Sequence, residues 1–288
     1  MARVGQVGAA VVLVAWVGIT SRPAVAGENE AGFPDAPSTV IASRGFRINS
    51  SKTFFCLPSD PAPMKGTNAF KRGLKRGLQD QREIYTAPFH RSALKWDAGF
   101  AVISGGLIAT DKHVTGALSK EHLEVSRDVS DAGLYSMTAT LGGLWLSSLV
   151  TKDPHARETG ELGLEALANT AAVYGVLQVV TGRERPLEGA GKGHFWQNNS
   201  LNSSFPSAHV AFTWTTASVV AHEYPRPWVE WLAYSTAGAV SVTRVTSQKH
   251  FPADVVVGSV LGYLVGQRMF HAHCKAGLSL KCRASQAP

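Results

Sequence analysis

From Trp96-Asp97 onward the chain alternates long apolar segments with short polar islands. The apolar segments run at about 98 to 110, 132 to 150, 162 to 182, 208 to 222, 228 to 245 and 254 to 270. They are long, rich in Ala, Gly, Leu and Val, and lack the period-two alternation of half-buried strands, so the pattern predicts helices and an all-α fold. Three islands stand out: Gly-Arg-Glu-Arg-Pro ending at Pro186, Phe-Pro-Ser-Ala-His ending at His209, and the run from Thr243 to Asp254. They fall after the third segment, before the fourth, and between the fifth and sixth. In an up-and-down bundle all three junctions lie at one end.

Ahead of the bundle, Phe70, Leu74 and Leu78 recur every four residues among Lys71, Arg72, Lys75 and Arg76, which predicts a short basic amphipathic helix. Such a helix suits a membrane surface, or packs on the domain with its basic face in water. Residues 27 to 68, rich in Gly, Pro, Ser and Asn, read as an extended arm. Residues 1 to 26 combine Arg3, an apolar run from Val4 to Ile19 and the small-residue site Ala24-Val25-Ala26, which reads as a secretory signal peptide. The expected organisation is then signal 1–26, arm 27–68, one helical domain 69–272 and a tail 273–288.

Charge and cysteines refine this picture. The formal net charge is +7, and removal of Arg3 and Arg22 with the signal leaves +5. That suits anionic phosphate substrates or acidic lipid surfaces. The basic residues are scattered without interleaved stacking aromatics, so nucleic acid is not an expected partner. Of Cys56, Cys274 and Cys282, the last two are the nearest pair and export would permit a bridge. No metal-ligand spacing is present. Only the segment from Ala132 to Thr151 approaches the length of uncharged chain that a membrane span needs, and the expectation is a globular exported domain, with a six-span integral protein as the alternative.

The islands carry the candidate chemistry. Arg185 and Arg244 offer planar, always-charged forks that match phosphate oxygens. Ser207 adds a hydroxyl, and the Ser207 and Ala208 amides open the helix after Pro206, where an anion is favoured. His250 and Asp254 are four residues apart, so the carboxylate can fix the imidazole tautomer and leave the other nitrogen to attack. His209 can then protonate the departing alcohol oxygen.

These residues resemble the type 2 phosphatidic acid phosphatase (PAP2) and vanadium haloperoxidase superfamily, whose signature is Lys-x6-Arg-Pro, then Pro-Ser-Gly-His, then Ser-Arg-x5-His-x3-Asp. Here the second and third parts read Pro206-Ser207-Ala208-His209 and Thr243-Arg244-x5-His250-x3-Asp254. Asp80-Gln81-x-x-Ile84-x-Thr86-x-Pro88 and Ala109-Thr110-Asp111 also resemble an exported bacterial branch, so the likeness extends over roughly residues 80 to 270. The family lysine falls on Gln178, Ala208 replaces glycine and Thr243 replaces serine. Arg183 and Lys249 are the nearby candidates to supply the missing cation.

The resemblance implies a six-helix bundle with an N-terminal helical extension. It implies an exported, metal-independent phosphomonoesterase in the periplasm or on the periplasmic side of the inner membrane, acting on lipid or soluble esters through a phosphohistidine on His250. His209 is the acid, Asp254 the orienter, and Arg185, Ser207, Ala208, Arg244 and Gln178 hold phosphate. No cofactor is expected. A vanadate-dependent haloperoxidase, with vanadate as cofactor, and a phosphate or lipid-headgroup binding protein with weakened catalysis are the rival readings.

Overall fold

The computed structural model describes residues 66–285 apart from 91, 92, 190, 198–200 and 276. The expected signal peptide, most of the arm and Cys56 lie outside the described residues. Among those described there are eight α-helices and no strand: α1 Gly66–Thr86, α2 Leu94–Ala117, α3 Leu123–Thr151, α4 Pro154–Thr181, α5 Ala208–Glu223, α6 Pro227–Thr246, α7 Pro252–His273 and α8 Leu280–Ser285. The six apolar segments correspond to α2 through α7. The expected basic helix is α1, longer than its apolar repeat suggested, and α8 is an addition within the expected tail.

Helix starts follow local chemistry. Proline opens α4, α6 and α7, where its missing N–H costs nothing. Asp153 caps α4 by accepting from the His155 and Ala156 amides. Gly182 ends α4 in the left-handed conformation, at φ 49°, and turns the chain into the first polar island.

The short helix α5 is the axis of the bundle, with α3, α4, α6 and α7 packed around it. Val210, Ala211, Ala217 and Val219 are fully buried along it. Its buried Thr213 and Thr215 hydroxyls donate back to the carbonyls of His209 and Ala211, and Thr215 also meets Thr170 at 2.8 Å. The closest approach is to α7, through Gly258, Gly262 and Gly266 at four-residue spacing. A Cβ at Gly262 would lie 2.1 Å from the Ala211 carbonyl oxygen, and one at Gly258 2.9 Å from that of Ser207. This glycine stripe brings the start of α5, with His209, against the start of α7, with Asp254.

Phe270, Met269 and Val265 of α7 form a second apolar cluster with Val219, Leu162 and Cys282. The Cys274–Cys282 disulfide ties α8 to the end of α7. Among the described residues one helix, α4, is long and apolar enough to cross a membrane, rather than the stretch in α3 that the sequence favoured.

The motif read at Asp80-Gln81-x-x-Ile84 is the docking surface of α1. Asp80 pairs with His273 at 2.8 Å, Gln81 donates to Asn169 Oδ1 at 2.6 Å, and Ile84 packs on the second apolar cluster.

Candidate functional site

The end of the bundle that gathers the C-termini of α2, α4 and α6 and the N-termini of α3, α5 and α7 carries all three polar islands. His250, in the α6–α7 connection, is 3% exposed. Its Nδ1 donates to the Ser204 carbonyl oxygen at 2.7 Å, which leaves Nε2 with its lone pair. Burial pushes its pKa well below the ordinary value, reinforced by the Arg244 guanidinium, so the ring is neutral.

Asp254 differs from the sequence expectation in its partners. Its Oδ2 is 3.9 Å from His250 Nδ1, beyond hydrogen-bonding range. The carboxylate accepts instead from Ser204 Oγ at 2.5 Å, from the Phe251 amide at 2.8 Å and from Arg183. Complete burial lifts its pKa to about 6 against the pull of Arg183 and these donors. Asp254 therefore acts on His250 through Ser204: it fixes the residue whose carbonyl fixes the ring.

Arg183 is buried and pairs with both Asp254 and Asp111, the latter at 2.7 Å. Its guanidinium lies between the rings of Phe251 and Phe195, with its central carbon 4.5 and 4.9 Å from their centroids. Asp111 also accepts from the Ala253 amide at 3.0 Å, so this network fastens α2 to the start of α7. Arg183 is thus a structural cation and does not replace the family lysine. Lys249 is placed differently. Its pKa is lowered by partial burial and then by Arg127, Arg185 and Arg244, which sets it among the cations of this end.

Gln178 is a correction to the sequence reading. Its side chain is fully buried, donates from Nε2 to the Pro206 carbonyl at 3.0 Å and accepts at Oε1 from the Ser203 amide at 2.7 Å. Both ends of the amide bracket the loop that precedes α5, which leaves it unsuited to hold a phosphate. The Ser207 amide is likewise engaged, with the Asp254 carbonyl at 3.1 Å. Ala208 remains the first residue of α5, where amides have no partner within the helix.

The other expected ligands converge. Ser207 caps α5 without a side-chain bond to it, and its buried Oγ has no partner. The buried Nε atoms of Arg185 and Arg244 make no hydrogen bond either, although Arg185 Nε lies 3.9 Å from a Glu188 carboxylate oxygen. Arg185 Nη2 donates to Asn202 at 2.9 Å and Arg244 Nη1 to Ser130 at 3.1 Å, which aims the forks. Burial lowers the Arg244 pKa to about 10, with Arg185 and Arg127 pressing in the same direction and Asp131 opposing. Three donors without a hydrogen bond, one from each island, at the same end as a neutral imidazole, are what a tetrahedral oxyanion would satisfy.

His209 faces a carboxylate that the sequence did not single out. Its Nε2 is 2.8 Å from Asp131 Oδ1, and the same oxygen is 3.5 Å from Arg244 Nη1. Burial and the Arg244 charge lower the His209 pKa, while Asp131 works to raise it. Asp131, Ser130 and Arg127 all come from the start of α3, far from the islands in sequence. The loop from Leu187 to Ser203 is fastened at 194–197: the Glu184 amide donates to the His194 carbonyl, that of Trp196 to Thr181 and that of Gln197 to Gly182.

Comparison with known proteins extends the resemblance of this helical, cation-lined end. The PAP2 superfamily model matches residues 163–277, which include all three islands, so the resemblance read from the motifs is shown. The lipid A 1-phosphatase of Porphyromonas gingivalis is 30% identical over 77 residues, 26% of this chain and 17% of the relative. The chain thus matches about a sixth of that curated relative's length. Among solved structures, Aquifex aeolicus LpxE is 18% identical with a TM-score of 0.42, covering 56% of this chain and 93% of its own. A transmembrane PAP2-type phosphatidylglycerolphosphate phosphatase from Bacillus subtilis is also 18% identical, with a TM-score of 0.39, covering 69% of this chain and 92% of its own.

Proposed function

We propose that the protein hydrolyses phosphomonoesters through a phosphohistidine at His250. The observation that carries this reading is the set of buried donors that make no hydrogen bond, Arg185 Nε, Ser207 Oγ and Arg244 Nε, at the end of the bundle where His250 is neutral and tied by Nδ1. His250 Nε2 attacks phosphorus, forming the N–P bond as the ester P–O bond breaks, and His209 passes its proton to the leaving alcohol oxygen. A bound dianion supplies the negative charge that raises the depressed His209 pKa, so substrate binding loads the acid. In the second half His209 takes a proton from water, whose oxygen attacks phosphorus, breaks the N–P bond and releases inorganic phosphate. Arginine forks and the α5 amide stabilise the transferring group, so the proposed reaction uses no metal.

Arg127 and Lys249 supplement the positive charge at this end, which answers the loss of the family lysine at Gln178. The lipid A 1-phosphatase similarity supports a phosphorylated lipid as substrate, and soluble monoesters fit the same pocket chemistry. The Cys274–Cys282 bond suits an oxidising compartment and supports a periplasmic location. The test is phosphate release from p-nitrophenyl phosphate and from phosphatidic acid by wild type, His250→Ala and His209→Ala. Loss of turnover in His250→Ala, with a phosphohistidine trapped in the wild type by acid quench, is the expected result. Undiminished turnover in His250→Ala overturns the mechanism.

A further inference from the structure

The chain from Lys192 to Gln197 forms one wall of a cleft of about 540 Å³; Ile108, Ala109 and Lys112 of α2 form the other, with Arg183 at its floor. None of Arg185, Ser207, His209, Arg244 or His250 lines it. Arg183 is the link to those residues, since its guanidinium pairs with Asp111 of α2 and with Asp254, which leads through Ser204 to His250.

The wall is fixed, and it holds a strained residue. Arg183 Nε donates to the Gly193 carbonyl at 3.2 Å, and the Glu184 carboxylate accepts from the Lys192 and Gly193 amides, each at 3.2 Å. Trp196 sits at φ 60°, a left-handed conformation that a bulky side chain ordinarily avoids, and is 76% exposed. Its neighbour Phe195 turns inward onto Arg183 and Phe205. Such backbone strain persists where the surrounding contacts impose it, and it clusters at ligand sites. Here it leaves a large aromatic face at a cleft instead of in the core.

The cleft's charge is one-sided. Lys112 and Lys192 are exposed, and among the described residues neither side chain makes an ion pair or a hydrogen bond. The acids next to the lining residues in sequence are engaged: Asp111 with Arg183 and the Ala253 amide, Glu184 with the two amides above. The Arg183 charge is itself compensated by Asp111 and Asp254, so the two lysines set the sign of the cleft. Gln197 donates from Nε2 to the Phe195 carbonyl at 3.2 Å, which leaves its Oε1 as an acceptor, and the exposed His194 ring can donate or accept. Cations, an aromatic face, an aliphatic wall and neutral hydrogen-bonding groups together match an anion carried on a hydroxylated ring. The ring's C–H face would lie on the indole, its hydroxyls would reach Gln197 and His194, and the anion would reach the lysines.

We infer that this cleft is a second anion-binding site, separate from the candidate active site and selective for a phosphorylated or otherwise anionic sugar. Binding there needs no turnover and stands apart from the phosphatase reading. Only the source of the sugar, as part of the hydrolysed ester or as a separate molecule, rests on that reading.

The probe is glucose 6-sulfate, which presents an anion on a hydroxylated ring and no phosphorus for His250 to attack. Its binding to the purified protein is followed by tryptophan fluorescence, with melting temperature as the control for folding. Wild type is expected to show a saturable response to this probe and none to glucose. Lys112→Gln/Lys192→Gln is expected to weaken binding by on the order of tenfold or more with unchanged melting. Trp196→Phe is expected to abolish the signal, and Arg244→Gln, in the candidate active site, to leave it in place. Equal affinity in the double-lysine variant, equal affinity for inorganic sulfate, or a response that survives Trp196→Phe overturns the proposal. So does a response that a folded Arg244→Gln protein has lost. Hydrolysis of glucose 1,6-bisphosphate and of p-nitrophenyl phosphate then identifies the source. A KM raised by Lys112→Gln/Lys192→Gln for the bisphosphate alone assigns the bound sugar to the substrate, and unchanged constants for both esters assign it to a separate molecule. A fluorescence response without hydrolysis of either ester removes the phosphatase reading and leaves the cleft site standing; hydrolysis without the response does the reverse.

Discussion

His250 donates its Nδ1 proton to the carbonyl oxygen of Ser204 at 2.7 Å, while the Asp254 carboxylate stands 3.9 Å from the same nitrogen. A backbone carbonyl fixes the tautomer, and the carboxylate acts one step removed, by holding the Ser204 hydroxyl at 2.5 Å and the Phe251 amide at 2.8 Å. Ser204→Ala keeps the carbonyl and loses only the hydroxyl, so it should reduce kcat by at most roughly ten- to a hundredfold, in line with the loss of one hydrogen bond to a charged group. Asp254→Ala leaves Arg183 buried with one partner fewer and releases the α7 corner, and should reduce kcat far more. Steady-state kinetics on p-nitrophenyl phosphate compare the two. A Ser204→Ala loss as large as that of His250→Ala would mean that the hydroxyl itself takes part.

The Arg183 network should be a stability determinant before it is a catalytic one. Removing one partner of a buried ion pair strands the other, at a cost of about 3–5 kcal/mol. Asp111→Ala, at the far side of the guanidinium from Asp254, is therefore expected to lower the unfolding free energy by that order in urea titration. A loss below about 1 kcal/mol would mean that water or a neighbouring group replaces the carboxylate.

Much of this end was legible because the islands use residue types that an apolar helix terminus does not need, so Arg185, Ser207, His209, Arg244, His250 and Asp254 stood out as one group. What spacing could not tell is which way an inward-facing polar group points. Gln178 is at the end of α4, where counting back from Arg185 places it, but its amide matches one donor and one acceptor of the 203–206 loop and turns to them. The four-residue separation of His250 and Asp254 suggests a direct bond, yet the Phe251-Pro252 corner offers the carboxylate a closer amide. Asp131 and Arg127 were not legible, since charged residues at the start of a helix such as α3 are common and only the tertiary fold brings them to His209. The six long helices were read from apolar length. The Gly258, Gly262 and Gly266 stripe that sets the α5–α7 distance was visible at four-residue spacing without indicating its partner.

Gln178→Lys separates a structural from an electrostatic role. If the amide is a bracket, lysine brings the family's charge and loses both loop contacts, so stability should fall and inhibition by inorganic phosphate should not tighten. Gln178→Ala should cost about 1–3 kcal/mol, the penalty for leaving the Ser203 amide without its acceptor. Thermal unfolding and the phosphate Ki are the measurements. Tighter inhibition in the lysine variant without loss of stability would return this side chain to the phosphate pocket.

The pH dependence follows from two depressed histidines. His250 has its pKa pushed well below 6.5 by burial and then by Arg244, so the ring keeps the lone pair that the proposed attack needs far into the acid range. His209 is also lowered, by burial and Arg244, and in the free protein is protonated only on the acid side of 6.5. Because kcat/KM reports the free protein, both limbs of its profile should lie at acid pH, with the maximum below 6.5. The linkage sign for His250 is that of a depressed pKa. The stability tied to its neutral form is present above the unfolded value of 6.5 and is lost as pH falls below it. Wild type should therefore lose stability relative to His250→Gln on acidification through that range. A kcat/KM maximum above pH 7 contradicts the assignment of His209 as the acid.

Asp131 places a carboxylate on the two groups that a phosphate dianion would use, with one oxygen 2.8 Å from His209 Nε2 and 3.5 Å from Arg244 Nη1. It thus has two opposed effects on the free protein: it helps His209 keep a proton, and it competes with an incoming anion for Arg244. Asp131→Asn keeps the shape and removes the charge, which should separate the effects. Without the carboxylate, inhibition by inorganic phosphate should tighten by roughly three- to tenfold, a modest factor because the Asp131 side chain is 43% exposed and partly screened. The alkaline limb of kcat/KM should at the same time move to lower pH, because the charge that raises the His209 pKa has gone. A purely structural role for Asp131 at the head of α3 would move the melting temperature and leave both the Ki and the limb in place. The two readouts shifting together, with melting unchanged, would identify Asp131 as the residue that sets when His209 carries its proton.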